Sequence, residues 1–129
     1  MPLTRRLRLL HIPAPSGPVR RLKGSARVEL LYVDACPRGD ASRTRRLAEA
    51  FLGALSDLAP DLKVTELCLA DMALLPVNAE RLAMREALCD RRDWDHPLTR
   101  ISADFQRADA VLIAAPYWDL SFPAILKLY

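Results

Sequence analysis

At 129 residues, 51% apolar and 27% charged, the chain has room for one globular domain with a modest core. No run approaches the roughly 18 apolar residues of a membrane helix, and three scattered cysteines (Cys36, Cys68, Cys89) with no C-x-x-C imply no disulfide framework or zinc site and fit a reducing cytoplasm. The net charge of +3 is uneven: residues 1–27 carry seven Lys/Arg and no acid, whereas residues 28–129 carry 12 basic and 16 acidic residues, a net of −4. The basic part is an arm without a helix-turn-helix or zinc-finger signature, which argues against nucleic acid as partner.

Residues 1–26 read as a disordered extension, because "HIPAPSGPVRR" places three prolines and a glycine in a short space. Its Arg-rich, acid-free composition has something of a transit peptide, but its prolines would interrupt an amphipathic helix. A solvated arm, or a start codon set too far upstream, is the preferred reading. Order begins at Val28, where "VELLYVD" predicts a strand over 28–34. In "SRTRRLAEAFLGALSDL", Leu47, Ala48, Phe51, Leu52, Leu55 and Leu58 recur at helical spacing, Ser42 can cap the start, and Pro60 ends the helix. "KVTELCL" predicts a second strand over 63–69. A short helix follows over 79–90, then the loop "RDWDHP", then a helix from Leu98 to Arg107. "AVLIAA" predicts a third strand over 110–115, whose continuous apolar character suits cover on both faces. Strand–helix–strand–helix–strand order argues for an α/β layered fold with a parallel sheet.

Two loops carry the candidate chemistry. "DACPRGDASRT" joins the first strand to the first helix, where free backbone N–H groups and the helix dipole favour an anion. Ser42 and Thr44 add hydroxyls, and Arg38 and Arg43 add charge. Neither G-x-G-x-x-G nor G-x-x-x-x-G-K-[ST] is present, so neither a dinucleotide-type Rossmann site nor a P-loop nucleoside triphosphatase is supported. Alternatively, Ser42 only caps the helix and the arginines are solvated. Cys36, at a helix start near arginines, raises a second possibility, a nucleophile of the small tyrosine phosphatase type. Such sites need an arginine six positions on. Here position 42 is Ser, and Arg43 stands one place too late. Cys36 therefore reads as a small residue lining the loop, and Cys68 and Cys89 as core. The other loop, "AAPYWDLSFPAILK", follows the third strand. Pro116 ends the strand and sets Tyr117 and Trp118 at its carboxyl edge, where open α/β sheets bind ligands. Aromatics followed by Asp119 suit a flat ring with polar edges; the alternative is that Trp118 and Phe122 are core or interface aromatics. His11 and His96 have no partner at a recognisable spacing and read as surface residues.

From Val28 to Tyr129, "ACPRGDASRTRRLAEAFL" followed by "ADAVLIAAPYWDLSFPAILK" resembles the FMN-dependent, flavodoxin-like NAD(P)H:quinone oxidoreductases and NADH-azoreductases. The resemblance implies that Ser42, Arg43 and Thr44 hold the FMN phosphate, with Cys36 where the family usually has Ser. It further implies that Pro116, Tyr117, Trp118, Asp119 and Leu120 face the isoalloxazine, where azoreductases read A-P-M-Y-N-F. Asp119 is then expected to turn its backbone rather than its carboxylate to the ring. The implied activity is two-step hydride transfer from NAD(P)H through FMN to a quinone or azo acceptor, at a homodimer interface, with no side-chain acid or base required. The implied fold is a flavodoxin-like three-layer domain of strand order 2-1-3-4-5. Residues 27–129 would be its N-terminal part, with order 2-1-3 present, strands 4 and 5 missing and strand 3 an open edge. A non-catalytic remnant of that fold is the alternative.

Overall fold

Strand β1 (Glu29–Asp34) organises the molecule, and its sequence ELLYVD alternates between two cores. The computed structural model describes residues 27–129. The expected extension over 1–26, with His11, lies outside the described residues. Leu31, Val33 and Ala35 point to one side of β1, where Leu69 completes a buried cluster packed by Val111, Ile125, Leu126 and Tyr129. Tyr32 and Cys36 point to the other, against Ala48 and Ala114. Period-two side-chain alternation places these residues. β1 is covered on both faces, and each such fully buried Leu or Val contributes about 1.5–3 kcal/mol relative to exposure.

Helix α1 (Arg43–Leu58) covers the Tyr32 face. Ser42 caps it, its Oγ accepting from the Arg45 N–H at 3.2 Å. The helix closes at Ala59, one residue before Pro60, as proline demands. Strand β2 (Lys63–Cys68) pairs parallel with β1, Glu29 opposite Lys63 and Asp34 opposite Cys68. Helix α2 (Ala79–Asp90) is capped by Asn78, whose Oδ1 accepts from the Arg81 N–H at 2.8 Å. Helix α3 (Pro97–Arg107) begins with proline at its first position, where no N–H is required. Strand β3 (Ala110–Ala114) pairs parallel with the other side of β1, and the sheet order is β2-β1-β3. A short helix α4 (Ala124–Leu128) follows and packs on the Leu31 side.

The expected strands and helices are all present, with ends shifted by a residue or so. Four burial expectations are corrected. On α1 only Ala48 is buried. Leu52 and Leu55 are half-buried, while Leu47, Phe51 and Leu58 are exposed, Leu58 to 82%. The helix sits over β1 and β3 and leaves one apolar flank uncovered. β3 lacks the cover on both faces that its apolar run suggested, with Ala110 and Ile113 exposed, and it is the edge strand that the order 2-1-3 implies. Cys89 is exposed and Cys68 half-buried, so neither belongs to the core. His96 is no bare surface residue: half-buried, it caps α3 through Nδ1, which accepts from the Leu98 N–H at 3.2 Å. A polar atom two residues before the first free amide gave the signal.

Candidate functional site

Both loops singled out by the sequence lie at the carboxyl edge of the sheet, and the backbone ties them together. The Ala35 N–H donates to the Ala114 carbonyl at 2.9 Å. Cys36 Sγ donates to the same carbonyl at 3.4 Å. An apolar crevice of about 360 Å³ opens between Ala35, Cys36 and Pro37 on one side and Pro123, Ala124 and Ile125 on the other.

The first loop turns through a short 3-10 segment (Gly39–Ala41) into α1. Gly39 adopts φ +49 with open space around it, the left-handed conformation that glycine takes at no steric cost. Ser42 is buried; its oxygen accepts in the cap, and its hydroxyl proton is within reach of the Cys36 sulfur. Arg43 and Thr44 follow in the first helical turn. Their N–H groups have no acceptor among the described residues, the normal state of a helix start and an anion-binding one. The Arg43 side chain is exposed and Thr44 half-buried. These donors fit a phosphate.

Sequence reasoning missed the charge network beneath this loop. Asp34 is buried, and its Oδ1 accepts from the Cys36 N–H at 2.9 Å. Its Oδ2 lies 3.5 Å from Arg45 Nε, close enough for an ion pair yet without a hydrogen bond. Arg45 also reaches Glu49 at 3.0 Å and Asp40 at 3.6 Å. Three carboxylates thus engage Arg45, and the loop's cationic reach outward rests on Arg38 and Arg43. Only a polar residue ending an apolar strand marked Asp34 in the sequence.

Cys36 is buried. Burial pushes its thiol pKa up; a hydrogen bond with Ser42 opposes the rise and Asp34 reinforces it. A buried thiol held protonated is the reverse of an activated nucleophile, so the phosphatase-like alternative loses its chemical basis.

The second loop is a surprise in shape. Trp118 and Ser121 exchange both backbone hydrogen bonds, at 3.0 and 2.8 Å, around Asp119 (φ 49) and Leu120 (φ 59). Two consecutive left-handed residues make a two-residue hairpin turn, normally an Asn-Gly position. The sequence carried no glycine or asparagine to announce it. Pro116 is buried, whereas Tyr117 and Trp118 are exposed and Leu120 is 88% exposed. Tyr117 and Phe122 stack edge to face, ring centroids 6.0 Å apart. An outward aromatic pair with Trp118 beside it presents a platform for a flat ring. Asp119 is exposed.

A parallel sheet flanked by helices, with an apolar crevice at its carboxyl edge, defines an open α/β domain. The family described as having the flavodoxin-like fold matches residues 29–129, and the chain belongs to it. The chain is similar to the FMN-dependent NADH:quinone oxidoreductase of Coprothermobacter proteolyticus, 33% identical over 102 residues, covering 78% of this chain and 51% of that one. It is similar also to FMN-dependent NADH:quinone oxidoreductase 4 of Pseudomonas fluorescens, 33% identical over 104 residues, covering 78% of this chain and 49% of that one. The azoreductase structure from Bacillus anthracis shares the fold, with a TM-score of 0.64 and 24% identity over 79% of this chain and 53% of that one. The chain spans about half the length of the curated relatives it matches.

Proposed function

We propose that residues 27–129 form the FMN-holding part of an oxidoreductase that takes reducing equivalents from NADH and passes them to quinones or azo compounds. One observation carries the reading: two loops tied by the Ala35–Ala114 and Cys36–Ala114 contacts present free amides at one end and exposed aromatics at the other. The names of the similar proteins supply the cofactor and substrate classes.

The amides of Arg43 and Thr44, the Ser42 hydroxyl and the Arg43 guanidinium would hold the phosphate. Pro116 to Leu120 would support the ring, Tyr117 and Trp118 by their faces. FMN, when bound, supplies the hydride chemistry. The chain's own part is to bind and orient, and to keep Asp119 turned outward so that no fixed negative charge opposes the reduced ring. Cys36 shapes the loop and takes no part in bond making. A homodimer and a cytoplasmic location belong to the same proposal. The free cysteines support a reducing compartment, and among the described residues no helix is long and apolar enough to cross a membrane.

The test is NADH oxidation by the chain supplied with FMN, with a benzoquinone or an azo dye as acceptor. We expect turnover that needs both FMN and acceptor and that falls at least tenfold in Trp118→Ala. A folded chain that oxidises no NADH under these conditions favours the non-catalytic alternative.

A further inference from the structure

The loop that leaves β1 at Asp34 and enters α1 at Arg43 is tied across its base by charge. Asp34 is 1% exposed. One of its carboxylate oxygens accepts from the Cys36 N–H at 2.9 Å, and the other accepts no hydrogen bond among the described residues. A buried carboxylate is costly unless an opposite charge compensates it. Arg45 Nε, 3.5 Å from that second oxygen, is the compensating charge. The same guanidinium reaches Asp40 Oδ1 through Nη1 at 3.6 Å and Glu49 through Nε at 3.0 Å. Its planar fork meets the strand end, the middle of the loop and the next turn of the helix together, which the compact ammonium of a lysine could not do. The Arg45 backbone is fixed as well, since its N–H donates to Ser42 Oγ.

Two acids in a loop read as a phosphate holder need an explanation. A phosphate monoester carries about 1.5–2 negative charges at pH 7, and Asp34 and Asp40 would repel it. We propose that Arg45 is the positioning residue of this loop. It clamps Asp34 to Asp40, so that the loop keeps the shape in which Ser42, Arg43 and Thr44 face the anion, and it offsets the charge of both acids. Arg45 acts through these carboxylates and not as a phosphate ligand. Arg38 and Arg43, which make no ion pair among the described residues, remain the cations that meet the anion. The inference rests on the FMN reading for its ligand, whereas the clamp is a property of the chain alone.

Two measurements on the full 129-residue chain test it. The amides of Cys36, Gly39, Ala41 and Ser42 all donate within the loop, so hydrogen exchange without flavin reads the clamp directly. In Arg45→Gln these amides are expected to exchange at least fivefold faster, while the amides of β1 and β2 keep their rates. Arg46→Gln, the same charge change on the next and exposed residue, is expected to leave both unchanged. Flavin fluorescence reads FMN affinity, which is expected to fall tenfold or more in Arg45→Gln. Adding Asp40→Asn to that variant is expected to recover at least threefold, although Asp40→Asn alone changes affinity less than twofold. Should Arg45→Gln not fold, Arg45→Lys is read instead, with a threefold or greater rise in the same exchange. Unchanged loop exchange in the Arg45 variant, or exchange that rises equally throughout the sheet, would overturn the clamp. An affinity loss that Asp40→Asn leaves in place would overturn the proposal by making Arg45 a direct phosphate ligand. FMN that fails to bind the wild-type chain refutes the FMN reading alone, and the exchange result still decides the clamp.

Discussion

Tyr32 is a described residue whose chemistry departs far from its ordinary state. Its ring is buried on the α1 side of β1, and its hydroxyl has no partner among the described residues. Burial first, then the charges of Asp34, Cys36 and Glu66, push its pKa up to about 12, against a small opposing pull from Arg45. Below pH 10 the phenol is protonated in folded and unfolded chains alike, and its contribution is fully present. Between pH 10 and 12 the unfolded chain gives up the proton first, so stability falls, by roughly 2–3 kcal/mol across the window. Tyr32→Phe should remove that alkaline loss. At pH 7 it should be neutral or stabilising by up to about 1 kcal/mol, because it deletes an unpaired buried hydroxyl. Urea unfolding at pH 7, 10 and 11.5 reads both effects; a variant that loses stability at pH 7 would show that the hydroxyl has a partner in solution. Cys36 gives a companion prediction. Its raised pKa means that iodoacetamide should modify it more slowly than the exposed Cys89 at pH 8, as peptide mapping would report. Faster modification of Cys36 would restore the nucleophile reading.

At the scale of elements, the hairpin turn after β3 concentrates local strain. Leu120 holds φ 59 with its side chain in solvent, a conformation that costs an ordinary L-residue about 1–2 kcal/mol. Leu120→Gly should therefore raise thermal stability, while loosening the platform and weakening FMN binding severalfold. Melting curves and flavin titration on the same sample separate the two effects. A variant that melts lower would mean that packing absent from the isolated chain holds the leucine. This turn also shows where the sequence was silent. Ser42 and Pro60 declare the ends of α1 through capping and a missing N–H, so α1 was legible; Pro97 was read into the loop before α3, whose start falls one residue earlier than expected. Asp119-Leu120 has none of the Gly or Asn chemistry that announces a two-residue turn, so the turn was not. Both loops of the candidate site were legible because strand ends and a proline fixed them. The Asp34–Arg45 pairing was not, since it depends on a helix-to-strand approach that no short-range pattern encodes. The apolar repeat on α1 located the helix but overstated its buried face, because periodicity marks an apolar stripe without saying how much of it the sheet covers.

For the whole molecule the salient feature is an uncovered side. Arg45 and Glu49 lie on the flank of α1 nearer β2, with Arg45 sharing a cavity with Glu66, Leu67 and Cys68. Leu47, Phe51 and Leu58 lie on the opposite flank, on the side of β3, whose outer edge has no strand partner among the described residues and whose Ile113 is exposed. No charged residue or proline interrupts β3 itself, so nothing in the strand blunts edge-to-edge pairing. The isolated chain should associate with rising concentration, and Ile113→Lys should shift it toward monomer. Sedimentation velocity over a hundredfold concentration range reads this. A wild-type chain that stays monomeric throughout would show that the edge is protected in solution.

The central claim is that the two carboxyl-edge loops hold FMN, and flavin retention tests it most directly. The chain is mixed with FMN, desalted, and examined for a protein-bound flavin spectrum beside circular dichroism. The account predicts flavin that travels with folded protein and that is largely lost when Ser42 and Thr44 are both replaced by Ala. Folded protein that emerges free of flavin would contradict it.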